Sequence, residues 1–464
     1  MFQKILIANR GEIAVRVARA CKQLGVPSVA VYSTADRDSA VVRLADEAVH
    51  IGPAQPGRSY LNAAAVLQAA DQCGADAIHP GYGFLSESPD FADACEAAGV
   101  TLIGPPAAVL AELGDKTSAR ALMTRAGLPL LPGGVDPLDV DAAGDLARRI
   151  GFPVIIKAAA GGGGRGMTVV TDPARFADDF RRTQATAQVL FGDGRVYVEK
   201  YLSQTRHVEI QVLCDGHGNA VHLGERDCTV QRRHQKLIEE SPAPALPDGL
   251  AERMGRSAVA GAVAAGYVGV GTFEFLLAPD GSYYFMEVNC RIQVEHPVTE
   301  MTTGIDLVAE QIKVAAGARL TVTQEDIRPR GVAIECRVNA EDPANGFAPT
   351  PGLVDEFVPA GGPFVRVDTH VYPGYVVPPN YDSLLAKLVV WAPNRAEAIT
   401  RMRHALAEFR VRGPRLRTTQ DFLGDVLAHP KFAAAEHSTS LVEELLASGP
   451  AAPDGARSPG KALT

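Results

Sequence analysis

The 464-residue chain has no surplus of positive charge: 45 Lys and Arg stand against 54 Asp and Glu, a formal net charge of −9. General nucleic-acid binding is therefore excluded, because it needs a basic excess to neutralise phosphates over a broad surface, although a local cluster can still hold one small anion. The seven cysteines (21, 73, 95, 214, 228, 290 and 336) include no Cys-x-x-Cys pair. An odd, scattered set reads as reduced thiols rather than a disulfide framework or a zinc site, and fits a cytoplasmic protein. The opening MFQKILIANRGE lacks the apolar run of a signal peptide. No long hydrophobic run exists either. The most membrane-like stretch, Ser257 to Phe273, is rich in Ala and Gly and ends at Glu274, short of the ~20 apolar residues that cross a bilayer. It reads as a buried helix followed by a strand.

What is present begins with a βαβ pattern. Lys4 to Ala8 is a short apolar run, Asn9-Arg10-Gly11 a turn, and Ile13, Val17, Ala20 and Leu24 fall at helical spacing before Gly25 and Pro27. A strand follows at Ser28 to Val31, and the pattern recurs at Ala77-Ile78, with HPGYGFLSE (79–87) leading to a helix from about Pro89 to Ala98 and a strand over Val100 to Ile103. Alternation of this kind predicts a parallel sheet with ligands at the carboxyl ends of its strands, where HPGYGFLSE lies. Beyond about Lys116 the texture changes: PVIIK (153–157) and MTVV (167–170) read as two strands joined by a glycine loop, and VYVEKYL (196–202) and HVEIQVL (207–213) as further alternating strands. The last third mixes short strands such as GVAIECRV (331–338) with Gly and Pro turns. It closes on a helix bearing Ile399, Met402, Leu406 and Phe409 on one face, with Asn394 and Glu397 spaced for a capping box.

Between PVIIK and MTVV lies KAAAGGGGRGM (157–167). A Walker loop needs its lysine after the glycines and a helix next, and a Rossmann fingerprint also opens a helix. Here Lys157 precedes the glycines and a strand follows. Two readings stay open: a flexible connector, or a hairpin tip whose N–H groups fold over phosphates with Lys157 pointing at them.

GTFEFLLAPDGSYYFMEVN (271–289) reads as a metal site in a hairpin, the alternative being a solvated face carrying scattered acids. With Pro279 to Ser282 as a four-residue loop, Ala278 pairs with Tyr283, and counting back sets Glu274 opposite Glu287. Carboxylates so placed repel unless a cation sits between them. Asn289 projects from the same face, and three hard oxygen donors suit Mg²⁺ bound together with nucleotide phosphates. Downstream, CRIQVEHPVTE (290–300) offers Arg291 to grip an oxyanion and Glu295 as a candidate base. Upstream, ERDCTVQRRHQK (225–236) gathers Arg226, Arg232, Arg233, His234 and Lys236, either a solvated charged face or a site for a small anionic co-substrate.

Together these segments, with GDK (114–116), ECRVNAEDP (335–343) and PPNYDS (378–383), resemble the biotin carboxylase family, the ATP-grasp subunit of acetyl-CoA carboxylase and related biotin-dependent carboxylases. The resemblance spans about residues 2–440. It implies a multidomain α/β and α+β fold: an N-terminal parallel α/β domain (1–113), an ATP-grasp domain (114–330) with a hinged glycine-rich lid at about 130–203, a C-terminal mixed α+β domain (331–446) and a disordered tail (447–464). It implies that Lys116, Lys157, Gly163 and Gly164 meet ATP phosphates, that Glu199, Lys200, Tyr201 and Leu202 line the adenine pocket, and that His207 and His234 position the nucleotide. Glu274, Glu287 and Asn289 would hold Mg²⁺ or Mn²⁺. Lys236, Arg291, Gln293, Val294 and Glu295 would surround bicarbonate, and Arg337 would reach biotin or phosphate.

The implied chemistry runs through carboxyphosphate. Glu295 deprotonates bicarbonate, which attacks the γ-phosphate of ATP; the intermediate breaks to CO₂ and phosphate, phosphate takes a ureido proton from biotin, and Arg291 stabilises the enolate. Three departures stand out. Ala160 replaces a frequent glycine, Cys290 stands where Thr or Pro is common, and no Ala-Met-Lys-Met-like biotinyl-lysine site occurs. Biotin is therefore expected on a separate biotin carboxyl carrier protein, with carboxyltransferase subunits as further partners, a homodimer as the family assembly, and neither nucleic acid nor membrane. The rivals are the carboxylase subunit of a propionyl-CoA or pyruvate enzyme, another ATP-grasp carboxylate–amine ligase, and a non-catalytic nucleotide-binding module.

Overall fold

The computed structural model describes residues 1–134, 138–160 and 165–448. Its first sheet is parallel, in the order Glu47–Gly52, Ser28–Ser33, Ile5–Ile7, Ala77–His79, Thr101–Leu102. The strand Ile5–Ile7 is buried along its whole length, as expected of a parallel strand with cover on both faces. The helix Gly11–Leu24 packs on this sheet and stops at Gly25, whose φ of 70° permits the left-handed cap. The order reverses at Ile5–Ile7, so the turns after it and after Ala77–His79 lie side by side, at the switch point where open sheets bind ligands. The Asn9 amide locks them together, donating to the Pro80 and Tyr82 carbonyls at 2.7 and 2.8 Å.

The second sheet has eight antiparallel strands, in the order Tyr283–Asn289, Gly269–Leu277, Arg206–Cys214, Ala220–Arg232, Gln235–Ser241, Val332–Asn339, Leu384–Ala392, Val365–Thr369. The expected boundary near residue 330 thus falls between strands of one continuous sheet. The stretch 257–273 divides as anticipated into a helix, Leu250–Ala264, and the strand Gly269–Leu277. Among the described residues no helix is long and apolar enough to cross a membrane.

A third sheet, Met167–Val170, Val154–Ala158, Val196–Lys200, carries the helices Val140–Ile150 and Phe176–Phe191. It has its own core of Ala143, Val154, Ile156, Phe176, Phe180 and Val198. It is a satellite cluster, packed apart from the main cores. Gly163 and Gly164 lie outside the described residues, as do residues 449–464 of the tail expected from 447; residues 447 and 448 belong instead to the helix Leu441–Ser448. The helix Arg395–Glu408 does not close the chain, since the helices Gln420–Ala428, Pro430–Ala433 and Leu441–Ser448 follow it; at its start Asn394 accepts from the Glu397 N–H at 3.1 Å, but the Glu397 carboxylate takes the Asn394 side-chain amide at 2.7 Å instead of its main-chain N–H. The expected capping box is therefore half formed.

Candidate active site

The strands Gly269–Leu277 and Tyr283–Asn289 place Glu274 opposite Glu287, but by another route than simple counting. At the tip, the Ala278 N–H donates to the Ser282 carbonyl at 2.8 Å and Leu277 pairs with Tyr283. The register there is one residue away from the expected Ala278–Tyr283 pairing. A bulge at Met286 inserts one residue and restores the Glu274–Glu287 pair. Asn289, opposite Thr272, shares their face, and its amide donates to Glu274 Oε1 at 2.8 Å.

Cations hold these acids together. Lys236 spends all three N–H donors on carboxylates: Glu209 at 2.6 Å, Glu274 at 2.8 Å and Glu295 at 2.6 Å. His207 Nε2 lies 3.1 Å from the other Glu274 oxygen, and Lys116 lies 3.3 Å from Glu287. Burial alone would raise the Glu274 carboxyl, yet Lys236 and His207 hold it well below the usual range. Glu295 is likewise held low against burial by Lys236, Arg337 and Arg226, with Arg337 Nη2 donating to its second oxygen at 2.9 Å. Both carboxylates are anions at neutral pH. Glu274, Glu287 and Asn289 form a hard-oxygen donor set on one sheet face, which fits Mg²⁺ or Mn²⁺.

Beneath the acids lies Arg226, wholly buried. Its five N–H groups bond to Glu209, Gln211, Thr299, Thr272 and Gln293 at 2.6–3.1 Å. A guanidinium with every donor satisfied is a fixed brace. Arg291 is oriented by Glu87, 2.8 Å from its Nε, and by the Asn289 side-chain oxygen at 2.9 Å. Cys290 is buried, and burial pushes its thiol upward, so it is an inert packing group.

The turn joining Ala220–Arg232 to Gln235–Ser241 has two residues, Arg233 and His234, both left-handed with φ of 47° and 66°. Left-handed backbone costs non-glycine residues about 1–2 kcal/mol each. Here it delivers both side chains to a cavity of about 940 Å³. That cavity is also lined by Lys116, Lys157, Lys200, Tyr201, Leu202, His207, Lys236, Glu274, Glu287, Asn289, Arg291, Gln293, Val294, Glu295 and Arg337. Ile155, Met167, Leu276 and Met286 give it an apolar wall, suited to a flat base. Burial lowers the His234 imidazole, with Lys157 adding to the effect, so it enters the site neutral.

One expected residue does not line the cavity. The side chain of Glu199 turns away to pair with Arg120 and to accept from Lys157 Nζ at 2.6 Å. Its carboxylate braces Lys157 and does not line the cavity, where the resemblance implied a wall of the adenine pocket. Glu209, Arg226 in its role as brace, and Glu87 were not anticipated. Glu209 sits in an ordinary strand alternation, and Glu87 closes HPGYGFLSE, a motif that could have flagged it.

A second cavity of about 550 Å³ meets the first at Arg291, Val294, Arg337 and Asp382, and is walled by Arg10, Tyr82 and Phe84. Two adjoining chambers, one beside the acids and cations and one reaching the parallel sheet, suit a reaction with two substrates.

Comparison with known proteins agrees with this geometry. Residues 1–110 match the family described as biotin carboxylase, N-terminal domain. Residues 115–323 match the carbamoyl-phosphate synthase L chain, ATP binding domain, and residues 335–444 the biotin carboxylase C-terminal domain. The chain is 51% identical over 445 residues to a biotin carboxylase of Nostoc sp., covering 96% of this chain and 99% of that one. It is also 51% identical over 447 residues to a pyruvate carboxylase subunit of Methanothermobacter thermautotrophicus, covering 96% and 90%. A solved structure of the biotin carboxylase domain dimer of Hydrogenobacter thermophilus 2-oxoglutarate carboxylase, in complex with MgADP, ADP and bicarbonate, superposes with a TM-score of 0.93 at 45% identity, covering 97% and 99%.

Proposed function

The chain belongs to the biotin carboxylase family of ATP-dependent ligases, and we propose that it carboxylates carrier-bound biotin for acetyl-CoA carboxylase. ATP and bicarbonate are its substrates. The observation that carries the assignment of roles is that Lys236 and Glu295, paired in the first cavity, meet Arg291 and Arg337, which border both cavities.

In this reading Lys116 and Lys157 bind the phosphates, with Gly163 and Gly164 closing over them. Lys200, Tyr201 and Leu202 border the base, Glu199 keeps Lys157 oriented, and His207 and His234 position the nucleotide. Glu274, Glu287 and Asn289 hold Mg²⁺ or Mn²⁺, which when bound offsets phosphate charge. Bicarbonate lies among Lys236, Arg291, Gln293, Val294 and Glu295. Glu295 takes the bicarbonate proton. Held as low as it is by Lys236 and Arg337, it is a weak base until an anion competes for those cations, which ties its basicity to substrate binding. Bicarbonate oxygen then attacks the γ-phosphate and ADP leaves; carboxyphosphate breaks to CO₂ and phosphate, the phosphate takes the ureido proton, and the ureido nitrogen of the resulting enolate attacks CO₂ to give carboxybiotin, with Arg291 and Arg337 facing that enolate in the second cavity.

Biotin arrives on a biotin carboxyl carrier protein, carboxyltransferase subunits complete the pathway, and the chain pairs as a homodimer, as the dimer of the Hydrogenobacter relative supports. Seven unpaired thiols, six of them buried, support a reducing compartment, the cytoplasm. The domain division at 113/114 and 330/331 is part of this reading. The match to the Methanothermobacter pyruvate carboxylase protein favours a second acceptor, pyruvate, for the same half-reaction. ADP release measured with Mg²⁺ and bicarbonate, with free biotin added or withheld, tests the activity. ATP cleavage indifferent to both would refute it. Co-purification with a biotinylated carrier and either carboxyltransferase separates the acceptors.

A further inference from the structure

Behind the Val294–Glu295 segment lies a cation with no role in the reaction just described. Lys387, on the strand Leu384–Ala392, is 0% exposed. Its ammonium donates to the Val294 carbonyl at 2.8 Å and pairs with Glu12 Oε1 at 3.0 Å. Glu12, in the first turn of Gly11–Leu24 and also buried, accepts from the Tyr82 hydroxyl at 2.5 Å on the same oxygen. Four separate parts of the chain therefore meet at one buried ion pair.

The position is expensive for a lysine. Burying an ammonium is unfavourable unless it is well paired, and a hydrophobic residue of similar volume is often no worse for stability. The register adds to the cost, because Lys387 stands directly opposite Arg337, two like charges on one face. Glu12, Glu335 and Asp368 nevertheless hold its pKa above the ordinary lysine value against burial, so it is charged. The two opposed cations grip the same dipeptide. Arg337 takes the Glu295 carboxylate, and Lys387 takes the carbonyl of the peptide that joins Val294 to Glu295. Because a peptide is planar, fixing that carbonyl fixes the plane from which the Glu295 Cα departs.

We infer that Lys387, held by Glu12, is a positioning residue for carboxylation: it clamps the Val294–Glu295 peptide so that base and main chain meet bicarbonate in a single orientation. The inference rests on the proposed roles of Val294 and Glu295. Lys387 lines neither cavity, and Glu12 borders only the second.

Two variants of the full chain test it. Lys387→Met removes the donor but leaves Glu12 buried without its cation, so lost folding alone could lower turnover. Lys387→Met combined with Glu12→Gln removes both charges and keeps an acceptor for Tyr82. The double variant should recover most of the Tm lost by the single one, while its KM for bicarbonate stays raised about tenfold, the worth of one hydrogen bond from a charged donor, and its KM for ATP moves less than about twofold. Amide exchange gives a readout independent of turnover: in both variants it should quicken across 293–296 and stay unchanged in Arg206–Cys214. A double variant that regains wild-type KM for bicarbonate along with its Tm would mean that Lys387 only neutralises Glu12. Equal rises in both KM values, or a uniform rise in exchange, would mean general loosening; each overturns the inference. A wild-type enzyme indifferent to bicarbonate would instead overturn the functional reading on which it stands, and needs no variant to detect.

Discussion

Replacing Glu295 by Gln keeps size and polarity but removes the ability to accept a proton, and the structure fixes what else it disturbs. Lys236 retains Glu209 at 2.6 Å and Glu274 at 2.8 Å, and Arg337 retains Glu239, so neither cation is orphaned. Two charge-assisted hydrogen bonds, worth about 1.5–3 kcal/mol each, weaken towards the neutral value of about 1 kcal/mol. Against that loss, one of three carboxylates crowded round a single ammonium becomes neutral. The net cost to stability is about 1–3 kcal/mol, less than the 5–15 kcal/mol by which folded proteins typically exceed unfolding. The protein stays folded, and bicarbonate-dependent ATP cleavage falls by roughly 10²–10⁴, or about 3–5 kcal/mol of barrier. Arg291→Ala frees Glu87 and Asn289 and should reduce carboxybiotin more than ATP cleavage, since its charge matters most to the enolate. ADP release and carboxybiotin are measured in parallel for both variants. Near-normal ATP cleavage by Glu295→Gln, or losses in equal proportion for Arg291→Ala, would refute this division of roles.

Glu287→Ala removes an acid whose side chain is 30% exposed and whose partner, Lys116, is 3.3 Å away, so the apo protein should lose no more than about 1 kcal/mol. MgATP affinity by isothermal titration should collapse, and unchanged affinity would sink the metal assignment. Asp215 is pulled down to about 2, its burial outweighed by hydrogen bonds from the Asn219 side chain and the N–H groups of Leu320, Asn219 and His217. A depressed carboxylate contributes stability above its unfolded pKa of about 4 that is lost as pH falls towards 2; allowing for solvent screening this is about 1–2 kcal/mol, and Asp215→Asn should flatten that limb of an acid-unfolding curve. Cys290 should resist alkylation in the native protein and react on unfolding, which mass spectrometry after iodoacetamide would reveal.

Local pattern carried the elements but not their meeting points. Helical spacing gave Gly11–Leu24, and strand alternation gave Arg206–Cys214, because each depends on neighbours within one or two turns. The Glu274–Glu287 pairing came out right through two offsets, a tip register one residue away and a bulge at Met286. Neither is written in the hairpin's composition, since a bulge answers to packing on the flanking strand. Glu199 shows the opposite failure: a motif can name the segment beside a nucleotide, but Arg120, 79 residues away, decides which way its carboxylate turns. Arg291 and Glu87, 204 residues apart, could not be joined by any local rule.

The two central cations differ in a way that bears on how the site works. Arg226 is wholly buried and has all five donors committed, mostly to neutral amides and hydroxyls. Lys236 also has its donors filled, but by three carboxylates at one side of an open cavity. An anion arriving there must take the ammonium from one of them. Glu209 is the least available, because Arg226 grips its other oxygen at 2.6 Å and it is fully buried. Glu274 and Glu295 are the partners left to yield, one assigned to the metal and the other to the proton. Release of Lys236 from Glu274 strengthens that carboxylate as a ligand, and release from Glu295 strengthens it as a base. A single flexible ammonium anchored to Glu209 would thus couple bicarbonate binding to both functions, whereas an arginine with a rigid planar fork could not swing between them at the same cost.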